Sequence, residues 1–367
     1  MFDKAPKGAS LRGDLASGVP GTVAGLWELH RGRGKLAWKQ VVAPAIALAT
    51  DGFAIDPILH ESLEGRLKRG PITGGVWSTG HATGEIVKQP ELAATLQLIA
   101  DHGAEGFYAG APARDIAAEM KRGGGLITEK DLRGYRAIWR DPVRVDYRGR
   151  HLITMPVPSS GGIVIAMTAN MLRTVDLAKL GWHSAEHVHW LVEVWRRAFA
   201  ARNEVLGDPA FVKDMPIARL ISQEYADALV ATIGTQATPS KAVASLLEGT
   251  HTTNLCVVDK DGMAIALTTT LNTSFGNGVV VDGFLMNNEM DDFATKPGSP
   301  NVYGLVQGTA NQVEPGKRML SSMSPTIVED DHGVVMVVGG QGGPRIITEV
   351  WQTISNVSDF GMPGEAA

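Results

Sequence analysis

Residues 248–293, EGTHTTNLCVVDKDGMAIALTTTLNTSFGNGVVVDGFLMNNEMDDF, bring threonines, an Asp-Gly turn, two β-rich runs and an acid-amide cluster into one stretch. Asn254–Val258 and Met263–Leu271 are rich in Val, Ile, Leu and Thr, and Asp259-Lys260-Asp261-Gly262 between them is turn chemistry, so a hairpin is expected. A type I turn with Gly262 at positive φ closes a loop of the G1-bulge kind, which pairs Asp259 with Met263. Counting outward, Val258 faces Ala264, Asn254 faces Thr268 and Thr252 faces Thr270. Two hydroxyls then meet on one sheet face, within side-chain reach. On the hairpin alone the favoured reading is a pair of threonines chosen for β-propensity.

The chain has 367 residues, enough for two average domains or one large sandwich with an ample core. Its 44% hydrophobic and 20% charged content is ordinary for a soluble globular protein. A net charge of −5 gives no electrostatic footprint for nucleic acid, and no polybasic run suggests a membrane surface. No apolar run has the length of a membrane-spanning helix, and MFDKAPKGAS lacks a signal-peptide core. The single cysteine, Cys256, excludes an internal disulfide and is expected as a small buried hydrophobe in the first hairpin strand.

Helical patterns are expected at Thr22–His30, after the Gly18-Val19-Pro20-Gly21 turn, and at Lys39–Ala49, where Val41, Val42, Ala45, Ile46 and Ala49 share helical spacing. Glu91–His102 and Ala111–Arg122 follow, the latter stopping at Gly123-Gly124-Gly125. The period changes at Val143–Pro156, where alternation with a turn at Arg148-Gly149-Arg150 predicts a second hairpin. Pro156–Gly162 then reads as a tight strand-to-helix turn into Ile163–Leu172, and Ser184–Ala201 as a longer helix. The polar Ala237–Gly249 suits a flexible linker. Val334–Gly340 reads as a buried strand entering a glycine turn. By layers alone the chain is mixed α and β.

The stretch as a whole resembles the γ-glutamyltranspeptidase (glutathione hydrolase) family of N-terminal-nucleophile hydrolases. The resemblance rests on VVDKDG at Val257–Gly262, TLN at Thr270–Asn272, NNEMDDF at Asn287–Phe293, LSSMSPTI at Leu320–Ile327 and GGPRIIT at Gly342–Thr348, in the family's order. Weaker similarity begins at LASGVPGTVAGL. It implies an α+β fold, a four-layer αββα sandwich, and a precursor that cuts itself after His251 to leave 1–251 and 252–367 as large- and small-subunit parts. It also implies that family members start earlier, with an FRE-type motif whose arginine pairs with the substrate carboxylate, and run on beyond Ala367. Both edges of the sandwich are then expected outside this sequence.

Thr252 is the nucleophile that the resemblance implies, with Thr253 leaving a one-residue alternative for the cut and Asn254 standing where the family often has His. A threonine hydroxyl needs a base, and a free α-amino group on the same residue supplies one near neutral pH. By resemblance, Thr270 holds the Thr252 hydroxyl and the Gly342 and Gly343 amides form the oxyanion hole. Glu289 and Asp292 take the ammonium of a glutamyl head, Asn272 supplies an amide, Ser321 and Ser322 donate to the carboxylate, and Tyr303 walls the pocket. The implied partners are glutathione or other γ-glutamyl compounds, with water, amino acids or dipeptides as acceptors. No metal or organic cofactor is implied, and the family's members are expected in the periplasm or outside the cell.

Three readings compete. GGQGGPR is glycine-rich but lacks the GK[ST] ending of a phosphate loop. His183-Ser184-Ala185-Glu186-His187 satisfies the inverted zincin pattern H-x-x-E-H, with His189 nearby. A related acylase, or an uncleaved fragment that only binds peptides, is the third.

Overall fold

The computed structural model describes Phe2 and residues 5–239 and 252–367, so His251 and most of the expected linker Ala237–Gly249 lie outside the described residues. The chain forms two compact units: Phe2–Trp139 with Leu271–Asp291, and Arg140–Thr270 with Asp292–Ala367. Each unit draws on sequence from both sides of residue 252. The division 1–251 and 252–367 is therefore not a division into compact bodies.

The first unit is mainly helical, as expected for the first third of the chain: α1 (Thr22–Arg33), α2 (Trp38–Asp51), α3 (Pro57–Lys68), α4 (Pro90–His102) and α5 (Ala111–Gly123). Local chemistry sets the ends. Asp56 caps α3 by accepting from the Leu59 N–H at 2.7 Å, with Pro57 at the first helical position. Gly124, at φ 79°, takes the left-handed conformation that terminates α5. In α5 the buried Ala113, Ile116 and Met120 form one helical stripe. In α2 the stripe is narrower than the spacing suggested: Val42 and Ala49 are buried, while Val41 and Ala45 face outward. Phe107, Tyr108, Ile116 and Leu132 share a core with Val279, Val281 and Met286 from the later segment.

The second unit opens with the expected hairpin, β1 (Val143–Tyr147) and β2 (Arg150–Thr154), turned by Arg148 and Gly149 at φ 53° and 72°. Helix α6 (Gly161–Leu172) follows and is buried along its whole length; α7 (Ala185–Val205) is capped by the Ser184 hydroxyl. Then come β3 (Thr252–Val258), β4 (Ala264–Thr270), β5 (Thr326–Asp330), β6 (Gly333–Val338) and α8 (Arg345–Ser358). One sheet runs β6-β5-β2-β1, antiparallel throughout, and β3–β4 form a separate hairpin that lies against β5 and β6. Tyr147, Leu152, Val328 and Val338 on one sheet face join α6 and α8 in the main core, around the fully buried Trp351.

Two expectations are corrected. The strand in Val334–Gly340 is an edge strand of that sheet, with Val335 exposed, Val334, Met336 and Val337 half-buried and Val338 buried, because it pairs with one strand only. Cys256 is exposed: its strand has a single partner, β4, and its thiol lies beside the Asn254 amide at 3.2 Å.

Candidate active site

The β3–β4 register is the one the turn chemistry dictates, with Thr252 opposite Thr270, Asn254 opposite Thr268 and Val258 opposite Ala264. The Asp259 N–H donates to the Met263 carbonyl at 3.0 Å, and the Asp259 carboxylate accepts from the Asp261 and Met263 amides at 2.9 Å each. Gly262 sits at φ 83°, where a Cβ would be strained. Thr252 is buried, and its hydroxyl stands 3.5 Å from that of Thr270. A hydroxyl pair thus closes the end of the hairpin where β3 begins.

On the same strand face, the Asn254 side chain accepts from the Thr268 hydroxyl at 3.0 Å and lies so close to Gly339 that a Cβ there would overlap it. Gly339 leads from β6 into the Gly340–Gly343 turn. Gly342 and Gly343 have φ 120° and 60°, and α8 starts directly after them, with the Arg345 and Ile346 amides donating back to their carbonyls. Tyr303 is buried with its ring against Gly343; a Cβ on that glycine would stand 2.8 Å from two ring carbons. The expected wall residue and the expected oxyanion turn are therefore in direct packing contact.

A third group surrounds the serine pair. The Ser321 N–H donates to the Pro158 carbonyl, and both the N–H and the hydroxyl of Ser160 donate to the Ser321 carbonyl, all at 2.8 Å. The Ser159 hydroxyl donates to the Met323 carbonyl at 2.6 Å. A Cβ on Gly161 would collide with Ser324 and the Met323 carbonyl. Pro156–Gly162 is thus a cradle for Ser321–Ser324 as well as a turn into α6. Asn311 extends the group: its amide donates to the Asp292 carbonyl at 2.7 Å, and its Oδ1 accepts from the Leu320 N–H at 3.0 Å. This links Asp292 to the serine loop through one fully buried side chain. Arg202, also fully buried, donates through Nη2 to the Ser322 hydroxyl at 3.3 Å. Burial pushes its guanidinium down to about 10, and the Asp292 carboxylate partly offsets this. Neither Asn311 nor Arg202 was singled out from sequence. An arginine on the core side of a helix, in the run Ala198–Arg202, was the available signal.

Asn272 and Glu289 belong to the other unit. Asn272 adopts φ 75°, which Asn tolerates, and its side-chain amide donates to the Asn288 carbonyl at 3.0 Å. Glu289 begins a short 3₁₀ turn, Glu289–Asp292, and its N–H donates to the Asn287 side chain at 3.1 Å. Within that unit the two asparagines of the motif hold backbone: Asn287 exchanges hydrogen bonds with Gly18, and Asn288 donates to the Leu11 carbonyl. Asp291 is buried and accepts from the Ser10 hydroxyl at 2.8 Å.

The H-x-x-E-H pattern has a structural explanation. His183 precedes the helix, at φ 56°, stacked on Trp182, and its N–H donates to Nδ1 of the buried His187 at 3.0 Å. Among the described residues no three His, Cys, Asp or Glu side chains gather as metal ligands, and no helix is long and apolar enough to cross a membrane.

Comparison with known proteins adds sequence and fold kinship. A family model described as Gamma-glutamyltranspeptidase matches residues 1–367. A glutathione hydrolase proenzyme of Pseudomonas aeruginosa is 45% identical over 98% of this chain, and one of Escherichia coli is 44% identical over 96%. The chain spans 65% and 63% of the lengths of these two relatives. Among solved structures, a cephalosporin acylase from Bacillus halodurans superposes with a TM-score of 0.83 at 26% identity, over 96% of this chain and 65% of its own. A gamma-glutamyltranspeptidase from Pseudomonas nitroreducens, complexed with L-DON, superposes with a TM-score of 0.61 at 39% identity, over 64% of this chain and 71% of its own.

Proposed function

Because this chain belongs to the gamma-glutamyltranspeptidase family, we propose that it is the catalytic part of a self-processing γ-glutamyl hydrolase and transferase with Thr252 as nucleophile. The observation that carries the reading is the buried Thr252 hydroxyl, 3.5 Å from Thr270 at the start of β3.

In the precursor the Thr252 hydroxyl attacks the His251 carbonyl. The Thr252 nitrogen leaves as a free amine, and water hydrolyses the resulting ester. The new α-amino group, with an ordinary pKa of about 8, then takes the hydroxyl proton as the oxygen attacks a γ-amide carbonyl. The leaving amine receives that proton. Water resolves the γ-glutamyl ester to glutamate, and an amino acid or dipeptide resolves it to a new γ-glutamyl peptide. Gly342 and Gly343 amides serve the developing oxyanion, and Tyr303 fixes their turn. Asp292 takes the substrate ammonium, and Ser321 and Ser322 take its carboxylate. The arrangement asks for no metal or organic cofactor. A four-layer αββα sandwich and an exported location are part of the same reading, taken from the family.

An acylase acting on another amide is the second reading, favoured by the higher TM-score to the cephalosporin acylase. Sequence identity favours the first, at 45% against 26%. Incubation with glutathione, and separately with a glutaryl amide, decides between them. Release of glutamate and cysteinylglycine that Thr252→Ala abolishes supports the proposal; release confined to the glutaryl substrate contradicts it.

A further inference from the structure

Arg202 lies in the last turn of α7 with its guanidinium fully removed from solvent. Its three hydrogen bonds all reach neutral oxygens: Nε to Ser160 Oγ at 3.0 Å, Nη1 to Asn203 Oδ1 at 2.9 Å and Nη2 to Ser322 Oγ at 3.3 Å. The one anion acting on it among the described residues is Asp292, through space. Burying a cation without a hydrogen-bonded anion is costly, and a chain that needed only a strut there would be better served by a neutral side chain.

The direction of the bonds matters. A guanidinium can only donate, so Ser160 and Ser322 must both accept from it. Ser160 then spends its own hydrogen on the Ser321 carbonyl at 2.8 Å. Ser322 accepts in the same way, and its hydroxyl hydrogen is turned away from Arg202. A hydroxyl that accepts from a cation in a low-dielectric setting is also a stronger donor.

We infer that Arg202 is a positioning residue for the α-carboxylate of the substrate: it orients and polarises the Ser322 hydroxyl from behind and supplies a buried positive charge that the arriving carboxylate neutralises. This rests on the γ-glutamyl reading above, deepens it, and makes Arg202 act through Ser322 instead of touching the ligand. The carboxylate pole at Ser322 and the Asp292 group are then set by one side chain, so a zwitterionic head is favoured over a singly charged one.

The test compares binding of L-glutamate with that of its α-amide by calorimetry on the full chain, for wild type, Arg202→Lys, Arg202→Gln and Ser160→Ala. Wild type is expected to prefer glutamate by about tenfold or more, the worth of a charge-assisted hydrogen bond. Arg202→Gln should abolish that preference, and Arg202→Lys should keep part of it through its charge. In turnover with γ-glutamyl p-nitroanilide, KM should rise with kcat nearly kept. Should the arginine variants fail to fold, Ser160→Ala, which removes the Nε anchor together with the hydroxyl's bond to the Ser321 carbonyl, should still lower the preference several-fold. An undiminished preference in folded Arg202→Gln, or in Ser160→Ala when the arginine variants do not fold, overturns the inference. No glutamate binding by wild type overturns the γ-glutamyl reading itself, and the inference with it.

Discussion

Gly343→Ala tests how the turn before α8 is held. At φ 60° an alanine adopts the left-handed region at about 1–2 kcal/mol. Its Cβ would also stand 2.8 Å from two Tyr303 ring carbons and 3.1 Å from a third. Tyr303 is buried, so the ring cannot swing into solvent, and such overpacking costs about 1–3 kcal/mol. Together the loss is about 2–5 kcal/mol, read as a lower urea midpoint. If the Gly342 and Gly343 amides serve the oxyanion, moving them lowers kcat by about 10²–10³. Adding Tyr303→Ala should remove the steric part and leave the backbone part. The double variant is then expected to be more stable than the sum of the two single losses predicts. An unchanged urea midpoint in Gly343→Ala, or strict additivity in the pair, would refute the claim that the ring fixes the turn.

Thr270→Val keeps the shape of β4 and removes the hydroxyl facing Thr252; kcat and self-cleavage should both slow about tenfold, with stability nearly kept. An equal cleavage rate in a time course would remove Thr270 from the mechanism. Glu193 gives a pH signature. Its burial alone would raise its pKa, but hydrogen bonds from the Thr238 hydroxyl, Arg197 and the Thr238 N–H, with the Arg196 charge, hold it at about 2. A carboxyl depressed in the folded state stabilises above its unfolded pKa, so this contribution is full above about pH 4.5 and is lost as pH falls towards 2. It is worth at most about 3 kcal/mol. Glu193→Gln should therefore lower the urea midpoint at pH 7 and lose most of its difference from wild type by pH 3; parallel midpoints at both pH values would contradict this.

What was legible in the sequence was local. The Asp259–Gly262 turn fixed the β3–β4 register, and Asn254 opposite Thr268 followed from it. The helical patterns, with the glycine stop after α5, gave α4 and α5 to within a residue or two. What was hidden came from long-range pairing. β5 pairs with β2 across nearly half the chain length, and no local pattern announces that. The same distance concealed the cradle in which Ser159 and Ser160 hold Ser321–Ser324. Asn311 gave no signal, and Arg202 gave only its place on the core side of a helix, because a polar residue in a helix or loop reads as solvated until its burial is known. Cys256 was misjudged because hydrophobic type was taken for burial, while its strand has one neighbour.

The central claim is that the chain makes its own catalytic base by breaking the bond before Thr252. Intact-mass analysis of wild type and Thr252→Ala tests it, with terminal sequencing of the products. Wild type should give two fragments that co-elute natively, because β2 and β5 are paired across the cut, and that separate in denaturant, the second beginning at Thr252. Thr252→Ala should remain one chain. A single uncut chain in an active wild-type preparation, or the same cut in the alanine variant, would contradict the account.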